Sequence, residues 1–128
     1  MAKAFLDTNV YIDFAYRKPQ IRSIINAHQI YLSPLSFHIL CYVNKIKIPT
    51  DELQELRKYE FNIIDFTEEI LNKALMGPTK DFEDNVQLHS AAEAQCDIFL
   101  TSDTKLLNMK FFGKAKIESI LSTNLWPK

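Results

Sequence analysis

Glycine, proline and cysteine are scarce: 128 residues contain two Gly, five Pro and two Cys. Two glycines cannot build a phosphate cradle, so neither a P-loop nor a G-x-G-x-x-G fingerprint can be written in this chain. Cys41 and Cys96 stand alone among apolar neighbours, with no C-x-x-C and no second pair. That argues against a zinc site and predicts buried thiols in a cytoplasmic protein. No apolar run approaches the roughly 20 residues that span a bilayer, so no membrane association is expected. The N-terminal apolar run meets a carboxylate at Asp7, too early for a signal peptide. Neither charge is in excess: 15 basic against 16 acidic residues leave a net charge of −1. Attraction to a nucleic acid would therefore have to come from a local patch.

What is present is globular in kind. Hydrophobic residues make up 47% and charged residues 24%, which excludes disorder, collagen and coiled coil. The length suits one domain, and residues 1–128 are read as a single unit without repeat or linker. Ala4-Phe5-Leu6 reads as a buried strand stopping at the turn and cap chemistry of Asp7-Thr8-Asn9. Residues 10–15 and 19–28 read as helix, and Ile30-Tyr31-Leu32 as a second strand. Ser33-Pro34 is a helix start, with Pro in the first helical position after a Ser cap. Further helices are expected over 50–59, from Thr67 to just before Gly77-Pro78, and over 81–95, with strands at 61–66, 97–101 and 116–120. Short apolar strands alternating with helices predict a three-layer α/β/α sandwich with a mostly parallel central sheet.

The acids fall where such a fold binds ligands, outside the carboxyl ends of strands. Asp7 directly follows the first strand and Asp103 lies just beyond Leu100-Thr101. Two carboxylates there would converge if their strands are neighbours; the other reading is that each simply caps the next helical turn. In the 81–95 helix, Asp81, Asp84, Leu88, Ala91 and Ala92 share one stripe, while Glu83 and Glu93 are expected to point away. Asp81 is read mainly as an N-cap and Asp84 as a site residue, because a carboxylate on a stripe of Leu and Ala needs a cationic partner.

Three patches, Phe5-Leu6-Asp7-Thr8-Asn9-Val10, Asp81-Phe82-Glu83-Asp84-Asn85 running into Ala91-Ala92-Glu93-Ala94, and Phe99-Leu100-Thr101-Ser102-Asp103, resemble the PIN domain. That is the fold of the VapC-type toxin ribonucleases. The resemblance implies a parallel α/β/α sandwich and an acid cluster at Asp7, Asp84 and Asp103 that is catalytic and holds Mg²⁺ or Mn²⁺; Asp81, His38 and Asn9 are candidate auxiliaries. RNA is the expected substrate, a small antitoxin protein and a second copy in a homodimer are candidate partners, and the sequence leaves the oligomeric state open. Converging carboxylates repel one another unless a divalent cation neutralises them, and oxygen donors without a Cys or His cluster suit Mg²⁺ or Mn²⁺ better than zinc.

One position departs from the family pattern. A Glu is usual in the second helix, and here that place falls on Ile39, with no acid between Tyr16 and Thr50 to replace it. His38, beside it, is either a partial substitute or an ordinary helix histidine. The site is therefore expected to hold Mg²⁺ weakly, and Ile39→Glu to strengthen binding. His28 and His89 are not expected to be ligands, since neither has a partner at helical i+3 or i+4 spacing.

Arg17, Lys18, Arg22, Lys45, Lys47, Lys105, Lys110, Lys114 and Lys116 either rim the site or are solvated surface. Lys105 is the preferred phosphate contact. Tyr11, Tyr16 and Tyr42 are read as core residues with base stacking as the alternative; Trp126 is a stacking candidate. Two functions compete: a metal-dependent endoribonuclease, and a PIN-like module that binds RNA or protein with weak or no catalysis because the second-helix Glu is absent. A receiver-like aspartyl phosphotransferase ranks third, because Asn9 stands where such a site wants a second Asp.

Overall fold

The computed structural model describes residues 1–26, 28–54 and 58–120. Its strands are β1 (Ala2–Leu6), β2 (His28–Leu32), β3 (Phe61–Ile63), β4 (Ile98–Leu100), β5 (Phe111–Phe112) and β6 (Ala115–Glu118). They form one sheet in the order β3-β2-β1-β4-β6-β5, parallel throughout except for the β5–β6 pair. The helices are α1 (Thr8–Ile12), α2 (Pro34–Val43), α3 (Glu68–Met76), α4 (Phe82–Glu93) and α5 (Thr104–Leu107).

The central strand shows why helices cover both faces. Ala4, Phe5 and Leu6 are all fully buried, the unbroken apolar run of a strand enclosed on two sides. Alternation divides them: Ala4 and Leu6 enter one core with Val10, Tyr11, Ile12 and Leu40, from α1 and α2. Phe5 enters the opposite core with Leu88 and Ala91 of α4 and Leu106 of α5. Phe5 and Phe99 stack across β1 and β4 with centroids 5.4 Å apart. The expected three-layer sandwich is therefore the observed one.

Helix starts follow the local chemistry. Ser33 Oγ accepts from Leu35 N at 3.1 Å with Pro34 next to it, and Thr67 Oγ1 accepts from Ile70 N at 3.2 Å. α3 stops at Met76, before Gly77, whose φ of 135° suits only glycine.

Several local expectations are corrected. The first helix ends at Ile12 and continues as a π-helical turn, Asp13–Arg17, and Pro19–Asn26 is a 3₁₀ helix, while His28 already belongs to β2. β3 stops at Ile63, short of Phe66. The last expected strand is β6, and β5, antiparallel to it, went unforeseen. The helix expected over 50–59 falls partly outside the described residues, as does Trp126. Tyr11 is buried as expected, but Tyr42 is 80% exposed and Tyr16 39%. Cys96 is buried and Cys41 half-buried, both as free thiols. Among the described residues no helix is long and apolar enough to cross a membrane.

Candidate active site

Leu6 of β1 and Leu100 of β4 are register partners, so the chain leaves both strands at the same edge of the sheet. The sheet grows outward from β1 in one direction through β2 and in the other through β4, and the crevice between these two strands is its topological switch point. Asp7 stands there, 3% exposed, its N–H donating to Leu100 O at 2.9 Å. Its Oδ1 caps α1 by accepting from Thr8 N at 2.9 Å, and its Oδ2 accepts from Thr101 Oγ1 at 2.8 Å. The Thr101 hydroxyl also accepts from Asp103 N at 3.0 Å, and Asp103 Oδ1 caps α5 by accepting from Lys105 N at 2.9 Å. Capping and convergence thus coexist, because the cap occupies one carboxylate oxygen of each Asp.

α4 brings the next acids. Asp81 is its N-cap, as expected, accepting from Asp84 N at 2.9 Å. Burial, and then the charges of Asp81, Asp7, Asp103 and Glu83, push the half-buried Asp84 carboxyl up to about 7. Asp7 is pushed up to about 6, by burial first; hydrogen bonds from Thr101 and Thr8 oppose the rise and the charges of Glu83 and Asp103 add to it. Asp7, Asp84 and Asp103, far apart in sequence, are therefore gathered within electrostatic reach of one another.

Glu83 corrects the sequence reading. Its side chain does not point away: it is half-buried, the Thr8 side chain opposes the rise that burial gives its carboxyl, and its charge acts on both Asp7 and Asp84. Thr8 Oγ1 also lies 3.1 Å from Ser36 Oγ of α2, which reaches Gln87 Oε1 at 3.5 Å. Thr8, Ser36, Gln87 and Thr101 were all missed. The one available signal was Thr101, two residues before Asp103, where a hydroxyl caps a turn.

The auxiliaries fare differently. His38 is exposed and is not among the groups that shift Asp7 or Asp84. Asn9 is exposed, and its carbonyl accepts from Arg17 Nη2 at 3.1 Å. Lys105 is exposed beside Asp103. Several expected basic contacts are engaged elsewhere: Arg17 and Lys18 with Asp13, Lys114 with Asp97, Lys116 with Glu118. Arg22 donates to the Phe14 and Ala15 carbonyls, both at 2.8 Å. His89 Nε2 lies 2.9 Å from Gly77 O.

Among the described residues no three His, Cys, Asp or Glu side chains already stand tightly enough together to hold an ion. The donor chemistry nevertheless suits a hard divalent cation. Every group is a carboxylate, and burial first, with neighbouring carboxylate charge added to it, raises Asp7 and Asp84, which a cation would counter.

Parallel strands, helices on both faces and carboxylates at the switch point define an α/β sandwich with an acidic crevice. The PIN domain family matches residues 3–105, and the chain belongs to that family. Solved structures share the fold. VapBC2 from Rickettsia felis, bound to a DNA fragment from their promoter, matches with a TM-score of 0.63 at 16% identity over 91% of this chain and 98% of that one. DNA-bound VapBC from Salmonella typhimurium gives 0.63 at 18%, over 93% and 98%. FitAB bound to an IR36 DNA fragment gives 0.57 at 18%, over 91% and 94%. No curated protein sequence matches the chain.

Proposed function

We propose that the protein is a divalent-cation-dependent endoribonuclease of the cytoplasm, acting as the toxin of a toxin–antitoxin pair. The observation that carries this reading is the convergence of Asp7 and Asp103, at the ends of β1 and β4, on Asp84 of α4, which burial first and then neighbouring carboxylate charges, theirs included, push up to about 7. Carboxylates that are both desolvated and set near one another destabilise the bare protein when ionised, which supports a cation as their partner. Asp7, Asp84 and Asp103 would hold Mg²⁺ or Mn²⁺, which when bound supplies charge neutralisation at a phosphate oxygen and a more acidic water. The chain's own groups do the rest. Thr101 fixes the Asp7 carboxylate through Oδ2, and Lys105 is exposed where a backbone phosphate would approach Asp103.

Family membership and structural neighbours solved as VapBC and FitAB assemblies support a protein partner of the antitoxin kind. An apolar groove lined by Phe37, Leu53, Tyr59, Phe61 and Ile63, with Tyr42 and Ile48 exposed, is a surface such a partner would cover; a second copy of the chain is the other candidate, and native mass decides between them.

The deciding experiment is cleavage of labelled RNA in Mn²⁺. Wild-type protein should cut it, and Asp84→Asn or EDTA should abolish the cut. The second reading, an RNA- or protein-binding module with weak or no catalysis, draws on Ile39 in place of the family's Glu and on the absence, among the described residues, of a preformed three-ligand cluster. RNA bound but not cut by the wild type would favour it.

A further inference from the structure

In the family pattern the fourth acid comes from the second helix, and α2 cannot supply it. Ile39 occupies that place, half-buried against the core that contains Leu40 and Val10. One turn earlier on the same helix, Ser36 is fully buried and faces Thr8, so α2 presents a hydroxyl to the crevice instead of a carboxylate. Glu83, at the start of α4, is half-buried on the same side, and the Thr8 side chain opposes the rise that burial gives its carboxyl. We propose that Glu83 is the fourth carboxylate of the acid centre, replacing the acid that α2 lacks. This assignment rests on the metal-centre reading above.

A second feature of the same place calls for a ligand. Gln87 lies four residues after Glu83, on the same side of α4, and is fully buried. Its Oε1 contacts Ser36 Oγ at 3.5 Å, so its carboxamide ends among the hydroxyls beside Glu83. Its Nε2 is buried without a hydrogen-bond partner. An orphaned buried donor costs roughly 1–3 kcal/mol, which an acceptor oxygen arriving in the crevice would remove. A carboxylate that ligates a divalent cation supplies such an oxygen, because ligating carboxylates accept hydrogen bonds from neighbouring donors. Glu83 beside Thr8, and an amide donor one turn on lacking an oxygen, are what a cation that draws the Glu83 carboxylate into the crevice would complete.

The test is calorimetric titration of Mn²⁺ into the metal-free protein, with the Mn²⁺-induced rise in melting temperature as a second readout. Glu83→Gln keeps an acceptor for the Thr8 hydroxyl, so it should fold, bind Mn²⁺ roughly tenfold more weakly, and gain less thermal stability from it. Glu93→Gln, exposed on the same helix, should match the wild type. Should Glu83→Gln melt without a folded baseline, Glu83→Asp, shorter by one methylene, should fold and bind more weakly. Wild-type affinity in a folded Glu83 variant, with Asp84→Asn unable to bind, overturns the Glu83 assignment and leaves the metal centre standing. No Mn²⁺ binding by the wild type overturns both.

Discussion

Asp7 accepts two hydrogen bonds, each of which favours the carboxylate, yet its carboxyl is pushed up to about 6. At 3% exposure, the loss of water outweighs both donors. The consequence for stability has a definite sign. A folded-state value raised from 3.8 to about 6 means that the native protein holds this proton more firmly than the unfolded chain. The contribution is therefore complete below about pH 4 and is lost as pH rises through 6, an effect of about 3 kcal/mol when complete. Asp7→Asn keeps the cap on α1 and removes the charge. Without added metal it should melt at the wild-type temperature near pH 4 and several degrees higher at pH 8, while cleaving no RNA; equal melting at pH 8 would contradict the desolvation account. Thr101→Val acts in the other direction. It strips Asp7 Oδ2 of its donor and Asp103 N of its acceptor, and should destabilise by about 1–3 kcal/mol in denaturant titrations.

Among the elements, α4 shows both what could be read from the chain and what could not. Its start at Asp81 was legible from capping chemistry, and Asp84, Leu88 and Ala91 were legible as an inward stripe. Glu83 was not, because a helical wheel assumes one buried face. α4 is packed on three sides: Leu88 and Ala91 against the sheet, Val86 against Ile70 and Ala74 of α3, and Gln87 against Ser36 of α2. Glu83 falls on the third. β1 and β4 were readable because strands buried on both faces are uninterrupted apolar runs. β5, two residues long, is too short to carry a period, and the break of the first helix at Ile12 leaves no proline or glycine to mark it. Two substitutions probe this level. Asp81→Asn preserves the cap and should leave stability within a few tenths of a kcal/mol. It removes the largest of the charges that raise Asp84, whose titration, followed by carboxyl NMR, should move to lower pH. Ile39→Glu, expected from sequence alone to strengthen metal binding, would place a charge where a half-buried apolar side chain packs against Leu40's core. With Glu83 already in the centre, it should cost about 1–3 kcal/mol of stability and leave Mn²⁺ affinity nearly unchanged.

For the whole molecule, the acid centre ties folding to cation and proton together. Asp7 and Asp84 both have raised values, so without metal each favours the fold in its protonated form and withdraws that support as pH rises, Asp7 through about 6 and Asp84 through about 7. Cation binding needs both ionised, so it releases protons, and its affinity climbs over the same interval. The two effects oppose each other. In EDTA, the melting temperature should fall between pH 5.5 and pH 8. In Mn²⁺ held at about a hundredfold excess over its dissociation constant at pH 8, the native state gains about 2.7 kcal/mol, or roughly 10 °C for a domain of this length. At pH 5.5 the same Mn²⁺ concentration should give much less, because the acids are largely protonated. The pH dependence of stability should therefore flatten or reverse when Mn²⁺ replaces EDTA, as thermal melts at the two pH values will show. Parallel slopes in EDTA and Mn²⁺ would mean that the carboxylates raised by burial are not the groups that meet the ion.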